Sequence, residues 1–344
     1  VFIINNKNNN NKQRKNMNNF KKIGMTALAA SLVTTSAFAG ELSVSGSASI
    51  KSAHTTTALG GNAGKAFSMG NSVTFTGGGE LDNGLNVSVS FELDQGAANS
   101  VEGNTTADTG AVFDSHSVTV SSDALGSLTF AGHGGDSAQS AVKDMTGKIW
   151  DYQGTSQKAV ASSSSNNMML YTLPSVIDGV SVSASYVPKG AAATQWASAT
   201  DVAIAYTGVE GLTVGYALGE KNATEATVGD VDTWYAKYAY GPVTVAYTET
   251  EFASKADASD REFEAMSVAY AVSENISVSY GTSENTQNTT AASSTNTPEE
   301  VTGITASYTM GGMTLSGAMI DVKNQAFVKG TKEEAWELAL AFAF

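Results

Sequence analysis

Large apolar side chains alternate with small or polar ones along most of the chain beyond Gly40. In the segment Leu85–Leu93, Leu, Val and Phe occupy every second position, and Asn, Ser and Glu lie between them. A period of two residues is typical of β-strands, because successive side chains point to opposite faces of a sheet. The pattern predicts an all-β protein with sixteen strands: Glu41–Lys51, Val73–Glu80, Leu85–Leu93, Ser115–Ser121, Ser127–Ala131, Asn167–Leu173, Gly179–Val187, Thr200–Thr207, Leu212–Leu218, Thr233–Tyr240, Pro242–Thr250, Arg261–Ala271, Asn275–Ser283, Val301–Thr309, Met313–Ile320 and Glu333–Phe344.

The connections between these strands alternate between short and long. Short ones such as Asp82–Gly84 have the residues of tight hairpins. The long ones are polar: Ser52–Ser72, Asp94–Asp114, Gly132–Asn166, Pro188–Ala199, Gly219–Asp232, Glu251–Asp260, Glu284–Glu300 and Asp321–Lys332. A soluble β-sandwich would also show alternating strands, but it seldom carries eight long loops at one end. Short turns at one end and long loops at the other are typical of outer-membrane barrels.

Eight tyrosines on the large-apolar faces fall into two groups, one near each end of the strands. The groups are Tyr206, Tyr240, Tyr270 and Tyr308 before short turns, and Tyr186, Tyr216, Tyr247 and Tyr280 towards long loops. Two rings of amphipathic aromatic side chains are what two membrane–water interfaces favour. We therefore predict a closed, sixteen-stranded, antiparallel transmembrane β-barrel, since an open sheet edge in lipid would leave backbone groups without partners.

The first 39 residues differ from the rest, with six basic residues and no acidic ones. From Met17, basic residues precede the apolar run Ile23–Val33, and small residues then end at Ala39. This order predicts a secretory signal peptide at 17–39, since the apolar run is too short for the alternative, a membrane anchor. Residues 1–16 look like no targeting signal, and we expect them not to belong to the native precursor. Residues 40–344 are predicted to form a single barrel domain.

Charge and composition narrow the function. The chain has no cysteine, which excludes a disulfide scaffold and thiolate chemistry. Residues 40–344 contain 13 basic and 33 acidic residues, a net charge of −20. Such a charge argues against a nucleic acid as partner. Sixteen strands enclose a diameter of roughly 35 Å, which small side chains cannot fill, so we expect a water-filled channel. Acidic side chains near its entrance concentrate cations within about 8–10 Å, and we therefore expect a cation preference that weakens at high salt.

The alternation also predicts which charged side chains face the interior. They are Lys51, Glu80, Glu92, Lys237, Arg261 and Glu337. The longest loop, Gly132–Asn166, is the third on its side and is suited to insertion into the lumen; its charged residues include Asp136, Lys143, Asp144, Lys148 and Asp151. Opposed charges across a narrow aqueous gap create a transverse field that favours polar solutes.

Several segments together resemble one family. They are the hairpin around Leu81–Leu85, the entry Ser127–Gly132 and exit Asn166–Pro174 of the third loop, and the final residues Leu340, Phe342 and Phe344. In this order they resemble the sixteen-stranded general diffusion porins of Gram-negative outer membranes, nearest the alphaproteobacterial type. The resemblance implies passive diffusion of small hydrophilic solutes, outer-membrane lipids and lipopolysaccharide as surroundings, and a homotrimer. It further implies a third loop that folds inward as a constriction, with acidic groups on the loop facing basic groups on the wall. It also implies that the barrel-assembly machinery reads the last strand. Arg261 is the one arginine after residue 39, so the arginine cluster usual in the family is absent.

Other chemistry finds little support in the sequence. No Gly-x-Ser-x-Gly elbow joins a strand to a helix, and no cofactor is required for the predicted function. Loop carboxylates could bind calcium through oxygen ligands, with Glu249, Glu251, Asp257 and Asp260 as one candidate set. Three alternatives remain open: a substrate-selective channel, an outer-membrane enzyme, and a secreted or surface-layer adhesin whose apolar faces pack in a dry interior.

Overall fold

The computed structural model describes residues 41–56, 66–94, 113–147, 158–163, 166–189, 197–221, 228–255, 260–288 and 297–344. The sixteen strands β1–β16 are, in order, Glu41–Thr55, Ala66–Glu80, Asn86–Asp94, Ser115–Ser122, Gly126–His133, Met168–Thr172, Val180–Val187, Ala199–Tyr206, Leu212–Lys221, Gly229–Tyr240, Val243–Ser254, Asp260–Ala271, Ile276–Asn288, Glu299–Met310, Met313–Lys323 and Lys332–Ala343. Single 3₁₀ turns occur at Ser140–Val142 and Gln325–Phe327. No helix among the described residues is long and apolar enough to cross a bilayer.

All sixteen strands form one sheet that closes on itself. Each strand pairs antiparallel with its neighbours in sequence, and β1 pairs with β16 through a register that includes Ile50 opposite Leu340. Closure gives every strand two partners, so the sheet has no free edge. The predicted antiparallel barrel is confirmed, and the stacked sheets of the adhesin alternative are excluded.

Most strands run further towards the long loops than the alternation predicted. β2 begins at Ala66 rather than Val73, and β13 ends at Asn288 rather than Ser283. The predicted ends were wrong because large apolar residues mark only the apolar part of a strand. The backbone ladder continues beyond it through polar residues, as in 284–288. Some predicted loops are correspondingly shorter, and β11 and β12 are joined by residues 255–259 alone.

The short connections have the predicted hairpin chemistry. In the turn between β2 and β3, Gly84 has a φ of 79°, a left-handed conformation that glycine adopts without strain. The Leu85 N–H donates to Asn83 Oδ1 at 3.2 Å, and the Leu81 N–H donates to Leu85 O at 2.7 Å. The local sequence therefore closes this hairpin through its own polar side chain.

The two faces of the barrel wall differ in the expected way. Large apolar side chains point outward and remain exposed, for example Ile204 at 49%, Ile304 at 53% and Met319 at 66%. Their inward-facing neighbours are small or polar, such as Ala203 and Thr305. A large apolar outer surface is favourable in lipid and costly in water, and the arrangement suits a membrane-spanning wall.

Buried apolar side chains are few, and most of them collect where the third long loop meets the inner wall. Ala138 packs with Ala203 and Ala217, and Val160 packs with Val231 and Phe252. A further cluster joins Ala159 to Phe263 and to apolar residues of β14–β16. The described part of the barrel thus has no continuous dry centre, and its main internal packing joins one loop to one side of the wall.

Candidate functional site

Two segments of the third loop, 134–147 and 158–163, lie against inward-facing side chains; we call them the anchored segments. Gln139 connects them, since its Oε1 accepts from the Ser162 N–H at 2.8 Å and its Nε2 donates to Val160 O at 3.2 Å. The same Nε2 donates to Thr233 Oγ1 on β10 at 2.9 Å. Gln139 is fully buried, so these hydrogen bonds are shielded from water.

Hydroxyl groups of β11 and β12 hold the first anchored segment further along. The Met145 N–H donates to Thr248 Oγ1 at 2.8 Å, and Thr250 Oγ1 donates to Lys143 O at 2.7 Å. On β12, Ser267 Oγ donates to Thr146 O at 2.6 Å. Thr248, Thr250 and Ser267 all lie on the inward register, between outward residues. Small hydroxyl residues of the inner face therefore serve as partners for loop backbone.

The second anchored segment contacts charged residues that the sequence analysis missed. Ser162 Oγ donates to Asp201 Oδ2 on β8 at 2.6 Å, and Lys221 Nζ on β9 donates to Ala161 O at 3.2 Å. Asp201 lies within the predicted strand Thr200–Thr207, on the face opposite Val202 and Ile204, so the alternation already indicated its inward position. Lys221 lies beyond the predicted end at Leu218, and extending the period of two to it would have identified it.

The structure describes three of the five charged residues predicted for the constriction, Asp136, Lys143 and Asp144. Asp136 is exposed on the first anchored segment. Asp144 Oδ1 accepts from the Thr146 N–H at 2.9 Å, which makes a local turn, and Lys143 Nζ donates back to Ser140 O at 3.3 Å. Lys148 and Asp151 lie outside the described residues, as do residues 1–39 with the predicted leader and Ala39.

The predicted lumen charges all lie on the inward register. Lys51 on β1 and Glu337 on β16 are diagonal neighbours across the seam, with Nζ 3.2 Å from Oε2. Their field is therefore local, because the two charges largely cancel at a distance. Glu92 on β3 accepts from Ser115 Oγ at 2.9 Å, and Glu80 is exposed near the turn end of β2.

Arg261 and Lys237 differ in their surroundings. The Arg261 guanidinium lies over the Phe327 ring, 5.6 Å from its centroid, near the loop that joins β15 to β16. Next to it, Glu299 accepts from the Ala326 N–H at 2.6 Å and is fully buried. Lys237 is exposed on the inner wall, three residues before the turn end of β10, so it is available to solutes, whereas Arg261 is engaged with the protein.

Glu299 and Glu333 form a second feature that sequence reasoning missed. Both carboxylates are fully buried, on β14 and β16. The Gln325 side chain donates to Glu333 Oε2, and Asn324 Nδ2 donates to Pro298 O at 2.9 Å. These hydrogen bonds tie the last long loop to the barrel mouth, which indicates a structural role for the two acids.

The eight predicted interface tyrosines all lie on the outward register. Tyr206, Tyr240, Tyr270 and Tyr308 lie near the turn ends of their strands. Of the other group, Tyr216, Tyr247 and Tyr280 lie mid-strand because β9, β11 and β13 continue past them. Tyr247 Oη donates to Glu249 Oε2 at 2.9 Å. Hydroxyls that meet carboxylates above an apolar belt are consistent with an interface position.

Outward carboxylates gather towards the loop ends of β10–β14. Oxygens of Glu249, Glu251 and Glu262 lie within 4.8 Å of one another. Two members of the predicted calcium set, Glu249 and Glu251, therefore lie beside Glu262, whereas Asp260 Oδ1 accepts from the Ser254 N–H at 2.8 Å. Asp257 lies outside the described residues, and calcium binding stays a prediction.

Two exposed ion pairs flank these carboxylates. Lys323 Nζ lies 3.0 Å from Glu300 Oε2, and Lys255 Nζ lies 2.9 Å from Asp230 Oδ1. Its hydrogen bond to Asp230 raises the pKa of Lys255 above the ordinary value, so the lysine stays charged. Exposed pairs of this kind contribute little to stability.

The last strand joins the barrel seam. Leu340, Phe342 and Phe344 share its outward face, and Phe344 extends the ladder beyond β16. The Phe344 N–H donates to Gly46 O at 3.0 Å, and Phe344 O accepts from the Gly46 N–H at 2.8 Å. A Cβ on Gly46 would lie 2.6 Å from Cε2 of Phe344, so the ring lies directly over this glycine.

Comparisons with known proteins agree with this architecture. The solved anion-selective porin from Comamonas acidovorans is 14% identical, with a TM-score of 0.66 over 89% of this chain and 100% of that chain. A triple mutant of Rhodopseudomonas blastica porin is 16% identical, with a TM-score of 0.63 over 88% of this chain and 100% of that chain. No curated protein matches the sequence.

A family model adds evidence from the sequence itself. The model described as Gram-negative porin matches residues 24–298. This match covers most of the chain, and the closed sixteen-stranded barrel has the fold of the solved porins. The chain belongs to the Gram-negative porin family.

Proposed function

We propose that this protein forms a water-filled outer-membrane channel for passive diffusion of ions and small hydrophilic solutes. The observation that carries the proposal is the division of the closed wall into an exposed apolar outer face and a small, polar inner face. Sixteen strands about 4.8 Å apart and tilted by about 45° enclose a diameter of roughly 35 Å. The small inward side chains leave such a width to water.

The third loop narrows this channel in our proposal. The contacts from Gln139, Met145 and Ser162 to inward-facing groups of β8, β10 and β11 support an inward fold of the loop. A loop held inside the barrel reduces the free cross-section and sets the size limit for solutes.

Charges on opposite sides of the lumen give the proposed channel a transverse field. Lys221 and Lys237 lie on β9 and β10, whereas Glu80 and Glu92 lie on β2 and β3, half-way around the ring of sixteen strands. Such a field orients dipolar solutes and disfavours apolar ones. The lone Arg261 is held by Phe327, so the lysines supply the basic side.

We further propose a modest cation preference. It rests on the net charge of −20 over residues 40–344, not on the fold, since the Comamonas acidovorans neighbour with the same fold is anion-selective. Reversal potentials across planar bilayers should favour K⁺ over Cl⁻ at 0.1 M salt, where the Debye length is about 10 Å, and less at 1 M, where it is about 3 Å. Anion preference at low salt would contradict this proposal.

The cellular setting follows from the same proposal. The precursor is exported, cleaved near Ala39, and inserted by the barrel-assembly machinery through Leu340, Phe342 and Phe344. The barrel then lies among outer-membrane lipids and lipopolysaccharide as a homotrimer, without nucleic acid, cofactor or catalysis. Family membership supports the membrane location, and resemblance supports the trimer.

Planar-bilayer conductance of the purified, folded protein tests the channel directly. We expect discrete, ohmic steps that persist in symmetrical salt, together with passage of small sugars in liposome swelling. Heat-denatured protein from the same preparation is the control. Folded protein that inserts but gives neither steps nor swelling would contradict the proposed function.

A further inference from the structure

A recess opens on the inner wall beside the first anchored segment. It has a volume of about 230 Å³ and lies where residues 145–147 meet β10–β14. Its polar lining consists of Thr146, Lys237, Thr244, Ser267, Ser279 and Thr305. The hydrogen bond from Ser267 Oγ to Thr146 O closes one side. Drug-sized ligands occupy about 300–1,000 Å³, so this recess suits a solute of sugar size.

The recess contains one charged group. Lys237 lies between Thr213 on β9 and Ala246 on β11, and its inward neighbours along β10 are Tyr235 and Ala239. No ion pair joins Lys237 to any residue that the structure describes, and no described carboxylate lines the recess. The ammonium therefore faces the cavity with its charge uncompensated by the described wall.

The other lining groups are hydroxyls that both donate and accept. Ser279 Oγ and Thr305 Oγ1 lie 2.7 Å apart and share one hydrogen bond, which leaves further capacity on each oxygen. Thr244 adds a third hydroxyl two residues from the turn after β10. An ammonium beside several hydroxyls matches a solute that has both a carboxylate and alcohol groups.

We propose that this recess is a transient binding subsite for small hydroxylated organic anions of the sugar-acid class. The carboxylate pairs with Lys237, and the alcohol groups exchange hydrogen bonds with Thr244, Ser279 and Thr305. Neutral sugars lack the charge, and simple carboxylates lack the alcohols, so each makes only part of these contacts. The inference rests on the proposed function, because solutes reach the recess through the lumen.

Single-channel recording in planar bilayers at 0.1 M salt tests the subsite, with gluconate as probe and with glucose and acetate as comparison solutes. We expect gluconate to reduce or interrupt the current in a saturable way, at lower concentration than either comparison solute. Lys237→Gln should weaken the apparent affinity for gluconate about fivefold. This factor corresponds to the attraction between two unit charges about 4 Å apart in water. Thr244→Val should weaken the apparent affinity for gluconate and leave the apparent affinity for acetate unchanged.

Lys323→Gln is the matched control, because it removes the same charge from an outward lysine paired with Glu300. It should leave the gluconate response unchanged. Equal effects of gluconate and glucose, an unchanged response in Lys237→Gln, or an equal loss in Lys323→Gln would each overturn the subsite. Normal conductance in buffer with no gluconate effect refutes only the subsite, whereas absent conductance in buffer refutes the proposed function.

Discussion

Gln139 is the residue that most directly holds the two anchored segments together and to the wall. The substitution Gln139→Leu keeps a side chain of similar length but removes all three hydrogen bonds, to Thr233 Oγ1, Val160 O and the Ser162 N–H. Because the side chain is fully buried, water cannot replace the lost hydrogen-bond partners while the loop stays closed.

The substitution should lower the free energy that local opening of the loop requires. Each hydrogen bond contributes about 0.5–1.5 kcal/mol net, so three together contribute about 1.5–4.5 kcal/mol. Each 1.4 kcal/mol is about tenfold in an equilibrium constant, so local opening of the loop should become at least about tenfold more frequent. The contacts of Met145 and Thr146 with β11 and β12 remain, so the loop should loosen near 137–140 and 160–162 rather than detach completely.

Hydrogen–deuterium exchange of the folded barrel measures this opening, because exchange reports local opening free energies. Peptides from 134–147 and 158–163 should exchange at least tenfold faster in the Gln139→Leu variant, while strand peptides stay unchanged. Asn86→Leu is the control, since Asn86 is an inward-facing amide on β3 whose cross-strand partners are Glu80 on β2 and Ser121 on β4. Equal protection in Gln139→Leu and the parent protein would refute the anchoring role.

Three further predictions concern other parts of the barrel. Glu264 lies directly opposite Glu249 and Glu284 on neighbouring strands, and opposed like charges cost about 0.2–1 kcal/mol per pair. Glu264→Gln should therefore raise the free energy of unfolding in urea at low salt by about 0.4–2 kcal/mol. An unchanged or lower free energy of unfolding would contradict this prediction. Asp201→Ala should speed exchange in 158–163 more than in 143–147, because only the first range loses its bond to Asp201; equal effects on both would count against separate anchors. Gly46→Val should displace the Phe344 ring that lies over Gly46 and slow barrel closure in refolding. Gly77→Val is the control, because a Cβ there meets nothing nearer than 3.6 Å. Equal refolding rates of the two variants would refute a role of the Gly46–Phe344 contact in closure.

The sequence predicted the fold well because a barrel wall obeys a simple alternation. Segments such as Leu85–Leu93 have large apolar residues on one face because lipid selects them, and the observed strand Asn86–Asp94 follows that segment closely. Where the wall rises above the apolar belt, lipid no longer acts on the outer face. There the pattern is lost although the hydrogen-bonded ladder continues, as in residues 284–288 of β13.

The candidate site was less predictable because it depends on contacts between distant segments. The alternation alone placed Lys237 and Arg261 inward. It could not show that Arg261 lies over the Phe327 ring, whereas Lys237 is exposed. Gln139 is an ordinary polar residue in the sequence, and its importance comes from Thr233, which is 94 residues away along the chain. Such pairings require the register of the closed sheet and the path of the loop.

Cysteine labelling at two adjacent positions of β14 tests the central claim most directly. The chain has no cysteine, so Ile304→Cys and Thr305→Cys each introduce a single thiol, on the outward and inward face of the same strand. In folded protein within lipid bilayers, a hydrophilic maleimide should modify the Thr305→Cys variant readily and the Ile304→Cys variant only after unfolding. Rapid labelling of Ile304→Cys together with protection of Thr305→Cys would contradict a wet lumen surrounded by a lipid-facing wall.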